Sequence, residues 1–105
     1  MFLINGIKWY LKFVPHDSDL LMRSDGSRTI GMTDNLTQTI YIDETLRGRL
    51  LKKVLCHELT HAAIFSYGVE LDIMQEELLA DLIATYGQEI LIITNKIFKK
   101  LKGED

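Results

Sequence analysis

His57-Glu58-Leu59-Thr60-His61 places two imidazoles four residues apart, with a carboxylate beside the first. On an α-helix, residues four apart lie about 40° apart around the axis and roughly 6 Å apart along it, so both rings can address one ion. Glu58 is turned about 100° from His57, where it can flank a metal without ligating it. Two histidine ligands and a carboxylate that takes a proton from water make up the working parts of a zinc hydrolase. Such a short pattern also arises by chance, on a surface helix with two ordinary histidines and a solvated glutamate. The rest of the chain must supply a third ligand and the elements that position it.

A catalytic zinc takes three protein ligands and keeps one position open. His16 is the only other histidine and falls in an irregular stretch. Cys56, the single cysteine, points about 100° away from His57 on the same helix and reads as a buried helix cysteine rather than a redox-sensitive thiol. The better candidates are Glu76, Glu77 and Asp81, early in a second helical stretch. A short connection at Gly68 to Leu71 makes the two helices antiparallel neighbours, so these carboxylates can face the histidines. Glu77 and Asp81 share a face. One can ligate the metal while the other accepts a hydrogen bond from the distal nitrogen of a ligand histidine. Glu76, rotated about 100° from Glu77, is expected in solvent. An acidic first turn is also what the helix dipole favours without any metal.

The elements that must hold these groups are legible in part. Phe2–Ile4, Asn5-Gly6 and Ile7–Val14 predict a β-hairpin with a type I′ turn, its second strand presenting Ile7, Trp9, Leu11 and Phe13 on one face. Pro15 ends it. Asp17-Ser18-Asp19 before Leu20-Leu21-Met22 suggests a short helical turn, and Ser24–Ser27 a loop. Thr29–Thr33 and Thr39–Ile42 read as two further short strands. Asp43 is expected to N-cap the histidine helix, running from Glu44 to about Tyr67, with Leu55, Leu59, Ala62 and Ser66 on its buried side and Gly68 as a left-handed stop. Asp72, with Gln75 three residues on, forms a capping-box pattern that opens a second helix from Ile73 towards Lys100, with Gly87 as a weak point. Lys96, Lys99, Lys100 and Lys102 collect at its dipole-favoured end, and Gly103–Asp105 reads as a frayed tail. The expected architecture is α+β: a small antiparallel sheet of three to four strands from the N-terminal half, packed on two long antiparallel helices.

The totals bound the function. A chain of 105 residues is read as one domain, 1–105, with one modest core. A net charge of −3 gives no reason to expect nucleic acid as a partner. One cysteine, no signal-peptide pattern and no apolar run of membrane-spanning length point to a cytoplasmic protein with no membrane partner.

His57-Glu58-Leu59-Thr60-His61 followed by Glu77-Leu78-Leu79-Ala80-Asp81 resembles the gluzincin branch of zinc peptidases. The small size, the β-rich first half and the strand just before the histidine helix look most like the ImmA/IrrE family of metallopeptidase-like proteins, small phage and prophage members above all. The likeness covers His57 to Asp81, and more loosely from about Thr29. It implies a minimal zincin-like fold that binds Zn²⁺ through His57, His61 and Glu77. It further implies Glu58 as general base and Asp81 as hydrogen-bond partner of a ligand histidine. Ile83-Ala84-Thr85-Tyr86-Gly87 stands where many members have a leucine-rich run ending in proline, a departure at the subfamily level. The activity implied is hydrolysis of peptide bonds in a protein or peptide substrate. The alternative is a catalytically silent module in which zinc staples two helices. Glu58 separates the two, because a structural site has no use for a base beside its ligands. Tyr41, Tyr67 and Tyr86 are candidate oxyanion donors, and Thr39–Ile42 a candidate edge strand for binding extended substrate. So small a chain has little mass for a walled cleft, so a homo-oligomer or a phage or host protein partner is a further expectation.

Overall fold

The protein is described by a computed structural model covering residues 1–103; Glu104 and Asp105, the end of the expected tail, lie outside the described residues. The element order is β1 (Phe2–Ile4), β2 (Ile7–Val14), one 3₁₀ turn (Asp19–Leu21), β3 (Gly31–Asp34), β4 (Thr39–Asp43), α1 (Gly48–Ser66), α2 (Ile73–Leu82), a π-helical turn (Ile83–Gly87) and α3 (Gln88–Leu101). The class is α+β, as expected. Among the described residues no helix is long and apolar enough to cross a membrane.

Local chemistry accounts for the start of the sheet. Asn5 and Gly6 both take positive φ, 50° and 75°, as a type I′ turn requires, and β1 pairs antiparallel with β2. The four strands lie in the order β1-β2-β4-β3. Here the structure departs from an all-antiparallel sheet: β2 and β4 run parallel, with Leu11 opposite Ile40 and Phe13 opposite Ile42. The chain between them is long enough to cross over, and it buries Leu21 completely on the way. β4 is therefore interior, and Thr39–Asp43 are all buried. The expected edge strand at Thr39–Ile42 is corrected accordingly: the edges are β1 and β3.

The core forms where α1 crosses this sheet diagonally. Val54 near its start lies against Gly31 of β3, and Ser66 at its end reaches Trp9 of β2. Trp9, Ile40, Ile42, Leu46, Val54 and Ala62 form the main cluster. The diagonal leaves one corner uncovered, so Leu11 and Phe13 stay exposed although they share a face with Trp9. On the other face Val14, Leu21 and Tyr41 form a second, smaller cluster.

The helix ends are mostly as the residues dictate. Gly68 takes φ 63° and stops α1, while Asp72 and Gln75 form a complete capping box at the start of α2. Asp43 does not cap α1. Its carboxylate instead accepts from the Thr45 backbone N–H at 2.8 Å and the Thr45 hydroxyl at 2.7 Å, closing a turn that ends β4. Those bonds, the Thr45 hydroxyl first, hold its pKa below the usual carboxylate value. The helix begins only at Gly48, which takes φ 61°, four residues after the expected start at Glu44. The second helix continues to Leu101, with the expected weak point at Gly87 realised as the π-helical turn.

One buried bond ties α1 to the hairpin: the Trp9 indole N–H donates to Ser66 Oγ at 2.8 Å, while the Asn5 side-chain amide donates to the Ser66 carbonyl at 3.0 Å. Ser66→Ala leaves the fully buried indole N–H without its acceptor, and chemical denaturation is expected to show a loss of about 1–3 kcal/mol. Adding Trp9→Phe to Ser66→Ala should cost less than the sum of the two single changes.

Candidate metal centre

α1 is covered on two sides, and this sets the geometry of its chemistry. Glu58 and Ala62 face the sheet, and Thr60 and Ile64 are also buried. His57 and His61 look out between these layers, partly buried, with side chains 20% and 13% exposed. Ala80, fully buried, lets α2 approach α1 closely.

The two helices interleave as a zipper of rings and carboxylates. Asp81 Oδ1 lies 3.0 Å from His57 Nδ1, and Glu76 Oε1 lies 2.8 Å from His61 Nδ1. Between the rings, Glu77 reaches both: Oε2 is 3.2 Å from His57 Nε2, and Oε1 is 3.0 Å from His61 Nε2. The two Nε2 atoms are themselves 3.1 Å apart. With each Nδ1–H donated to a carboxylate, both Nε2 atoms present lone pairs. The two Nε2 atoms and the Glu77 carboxylate then converge as three acceptors, an arrangement that could hold a metal ion.

The donor set fits zinc. Ligands about 2.0–2.1 Å from a tetrahedral ion stand about 3.3–3.4 Å from one another, close to the separations found here. His57, His61 and Glu77 each offer one ligand atom, and these atoms all lie within 4.8 Å of one another. The carboxylates on both Nδ1 atoms are the outer partners that fix the tautomer of a ligand histidine. Asp81 occupies the position expected of it. Glu76 does not: expected in solvent, it is the partner of His61 and only 26% exposed. The 100° between Glu76 and Glu77 is real, but the His61 ring stands between the two side chains and uses both.

Glu58 sits beside this triangle and is 7% exposed. Its carboxylate accepts from the Thr33 hydroxyl at 2.9 Å, and the same hydroxyl lies 3.0 Å from the Glu58 carbonyl. Burial raises the Glu58 pKa. The Thr33 bond and the histidines oppose that rise, and Glu77 adds to it. β3 reaches this close because residue 31 is glycine: a Cβ there would come within 2.7 Å of Val54 Cγ1 and 3.0 Å of Glu58 Cγ. Neither Gly31 nor Thr33 was legible as part of the site, since both act across the sheet–helix contact.

A cleft of about 390 Å³ opens over His57, Glu58, His61 and Glu77, walled by Gly31, Met32 and Thr33 of β3 and by Arg23 and Asn35 from loops. Tyr41 is on the far side of the sheet with Val14 and Leu21. Tyr67 and Tyr86 are exposed and do not line the cleft, so none of the three tyrosines serves as its donor. His16 is exposed and also lies outside it, and Cys56 opens instead onto a separate groove. Comparison of the chain with protein-family models, with curated proteins and with solved structures returns no match.

The raised pKa of Glu58 has a consequence for the metal-free protein. The folded state holds this proton more tightly than the unfolded chain, so the stability that Glu58 contributes is fully present below the unfolded carboxylate value of about 4.3 and is lost as pH rises through the higher folded value. Denaturation with chelator at a series of pH values is expected to show that fall in the wild type, and a flatter profile in Glu58→Gln.

Proposed function

We propose that the chain is a zinc-dependent peptidase, with His57, His61 and Glu77 as metal ligands and Glu58 as general base. The observation that carries the reading is the combination of a buried carboxylate beside three converging, donor-free ligand atoms, all opening onto one cleft. When bound, zinc supplies Lewis acidity, lowering the pKa of water towards about 7 and polarising a carbonyl.

The chain's own residues do the rest. Asp81 and Glu76 hold the His57 and His61 rings by their Nδ1 atoms, so that both Nε2 atoms stay directed at one point. Glu58 takes a proton from the attacking water at a carboxylate oxygen and returns it to the leaving nitrogen. Its environment suits both halves of that task, because burial favours the protonated form and Thr33 steadies the ionised one. β3 is the outer strand beside the cleft, and Gly31, Met32 and Thr33 line it, so strand addition of an extended peptide belongs at β3. The gluzincin-like assignment rests on the motif residues and on this arrangement.

The silent zinc module uses the same ligands and differs only in what Glu58 does. Metal analysis and peptide cleavage on Glu58→Gln and Glu77→Ala separate the readings. Glu77→Ala is expected to weaken zinc binding by at least about 10–100-fold. Glu58→Gln should keep one equivalent of zinc and lose about 10²–10⁴-fold in cleavage rate. Full zinc loading of the wild type, with no cleavage across a broad panel of peptides and proteins, would establish the silent module.

A further inference from the structure

α3 buries none of its residues. Ile90, Leu91, Ile93, Ile97, Phe98 and Leu101 are each between 48% and 79% exposed. At 100° per residue these six fall within an arc of about 160°; Lys96 and Lys99 lie on the opposite side with Ile92, and Lys100 borders the arc beside Ile93. α3 packs mainly against the π-helical turn, and Lys52 of α1 reaches its first residue, Gln88. It projects as an arm and gives the molecule extents of 53 × 30 × 28 Å. α3 continues α2 through the π-helical turn, and among the described residues nothing covers its apolar face.

The base of the arm is concave. A groove of about 640 Å³ runs between the early turns of α1 and the junction of α2 with α3. Its floor is made of small or apolar residues: Cys56, Ala84, Gly87, Ile83 and Leu91. Its rim carries Arg49, Lys52 and Lys53, and Lys52 Nζ donates to Gln88 Oε1 at 2.9 Å across it. Among the described residues no carboxylate lines the groove. Further along the arm the Lys102 ammonium stands 5.1 Å from the centre of the Phe98 ring, so a cation flanks the apolar stripe there too.

We propose that this groove and the adjoining face of α3 are the docking site for an acidic amphipathic helix of a partner protein. The charge pattern selects the occupant. A second copy would bring the same lysines with it. Paired antiparallel, its arm sets Lys99 and Lys102 near the basic rim, and paired parallel it sets lysines beside lysines. A flat bilayer would reach the crest of α3 but not the floor at Cys56, Ala84 and Gly87. A helix about 10 Å wide can enter, its apolar side chains spaced i, i+3 or i+4 and i+7 along the stripe, its acids meeting the rim. The small side chains on the floor allow its backbone to come close.

The groove shares Lys53 with a pocket lined by His57, Glu77 and Asp81, and its test reads peptide binding rather than cleavage, so it stands apart from the peptidase reading. The probe is a displayed library of amphipathic helical peptides with randomised charged positions, selected on the full chain at about 0.15 M salt. Enriched peptides are expected to be net acidic with apolar residues at helical spacing. By fluorescence anisotropy, Leu91→Asp and Lys52→Glu should each weaken the best of them by about tenfold or more. Both positions are solvent-facing, and circular dichroism checks that the variants fold. Enrichment of basic or neutral peptides, no enrichment, or unchanged affinity in both variants overturns the proposal. So does a wild-type dimer in solution that Leu91→Asp dissociates, or co-sedimentation with phosphatidylserine-containing vesicles that Leu91→Asp abolishes.

Discussion

Two imidazole rings and a carboxylate, from two helices, are held within about one hydrogen-bond length of each other. That convergence is the constraint on which the rest depends. The fold holds it by fixing both rings from behind. Asp81 and Glu76 hold the outer nitrogens of the two rings, and Ala80 sets the distance between helices. The turn at Gly68 and the capping box at Asp72 set the point at which α2 begins, and so which carboxylates arrive opposite which histidine. The buried Trp9–Ser66 bond anchors the far end of α1 to the sheet.

The sheet contributes a second, separate device. β3 comes so close to α1 at Gly31 that Glu58 is enclosed between a strand and its own helix, with the Thr33 hydroxyl on its carboxylate. Desolvation and hydrogen bonding act on that group in opposite directions, which is how proteins set a carboxylate between acid and base roles. The two histidine rings and Glu77 are thus positioned by helix–helix contact, and Glu58 by helix–sheet contact.

Features set by neighbours in the chain were legible in the sequence. His57 and His61 at helical spacing, Asn5-Gly6 at positive φ, Gly68 as a stop and Asp72 with Gln75 as a box all follow from local backbone chemistry. What depended on distant parts of the chain was not. Parallel pairing of β2 with β4 has no local signature, because the crossover that makes it carries little regular structure. With it went the identity of the edge strand, and the far-side placement of Tyr41. Asp43 has the right residue type for a helix cap, but Gly48 delays the helix and a turn claims the carboxylate first. Helical spacing turns Glu76 away from Glu77 and so predicts solvent exposure, but the His61 ring stands between the two and meets Glu76 with Nδ1 and Glu77 with Nε2. A ring with two nitrogens can span the gap, and the run Glu76-Glu77 with Asp81 four further on is the pattern that two such rings require.

Zinc-edge X-ray absorption on the protein loaded with one equivalent of zinc tests the convergence most directly. The account predicts two imidazole nitrogens and carboxylate oxygen at about 2.0–2.2 Å, with the outer-shell signature of both rings lost in His57→Ala or His61→Ala. A spectrum with no imidazole contribution, or a chain that retains no zinc after exchange into metal-free buffer, would contradict it.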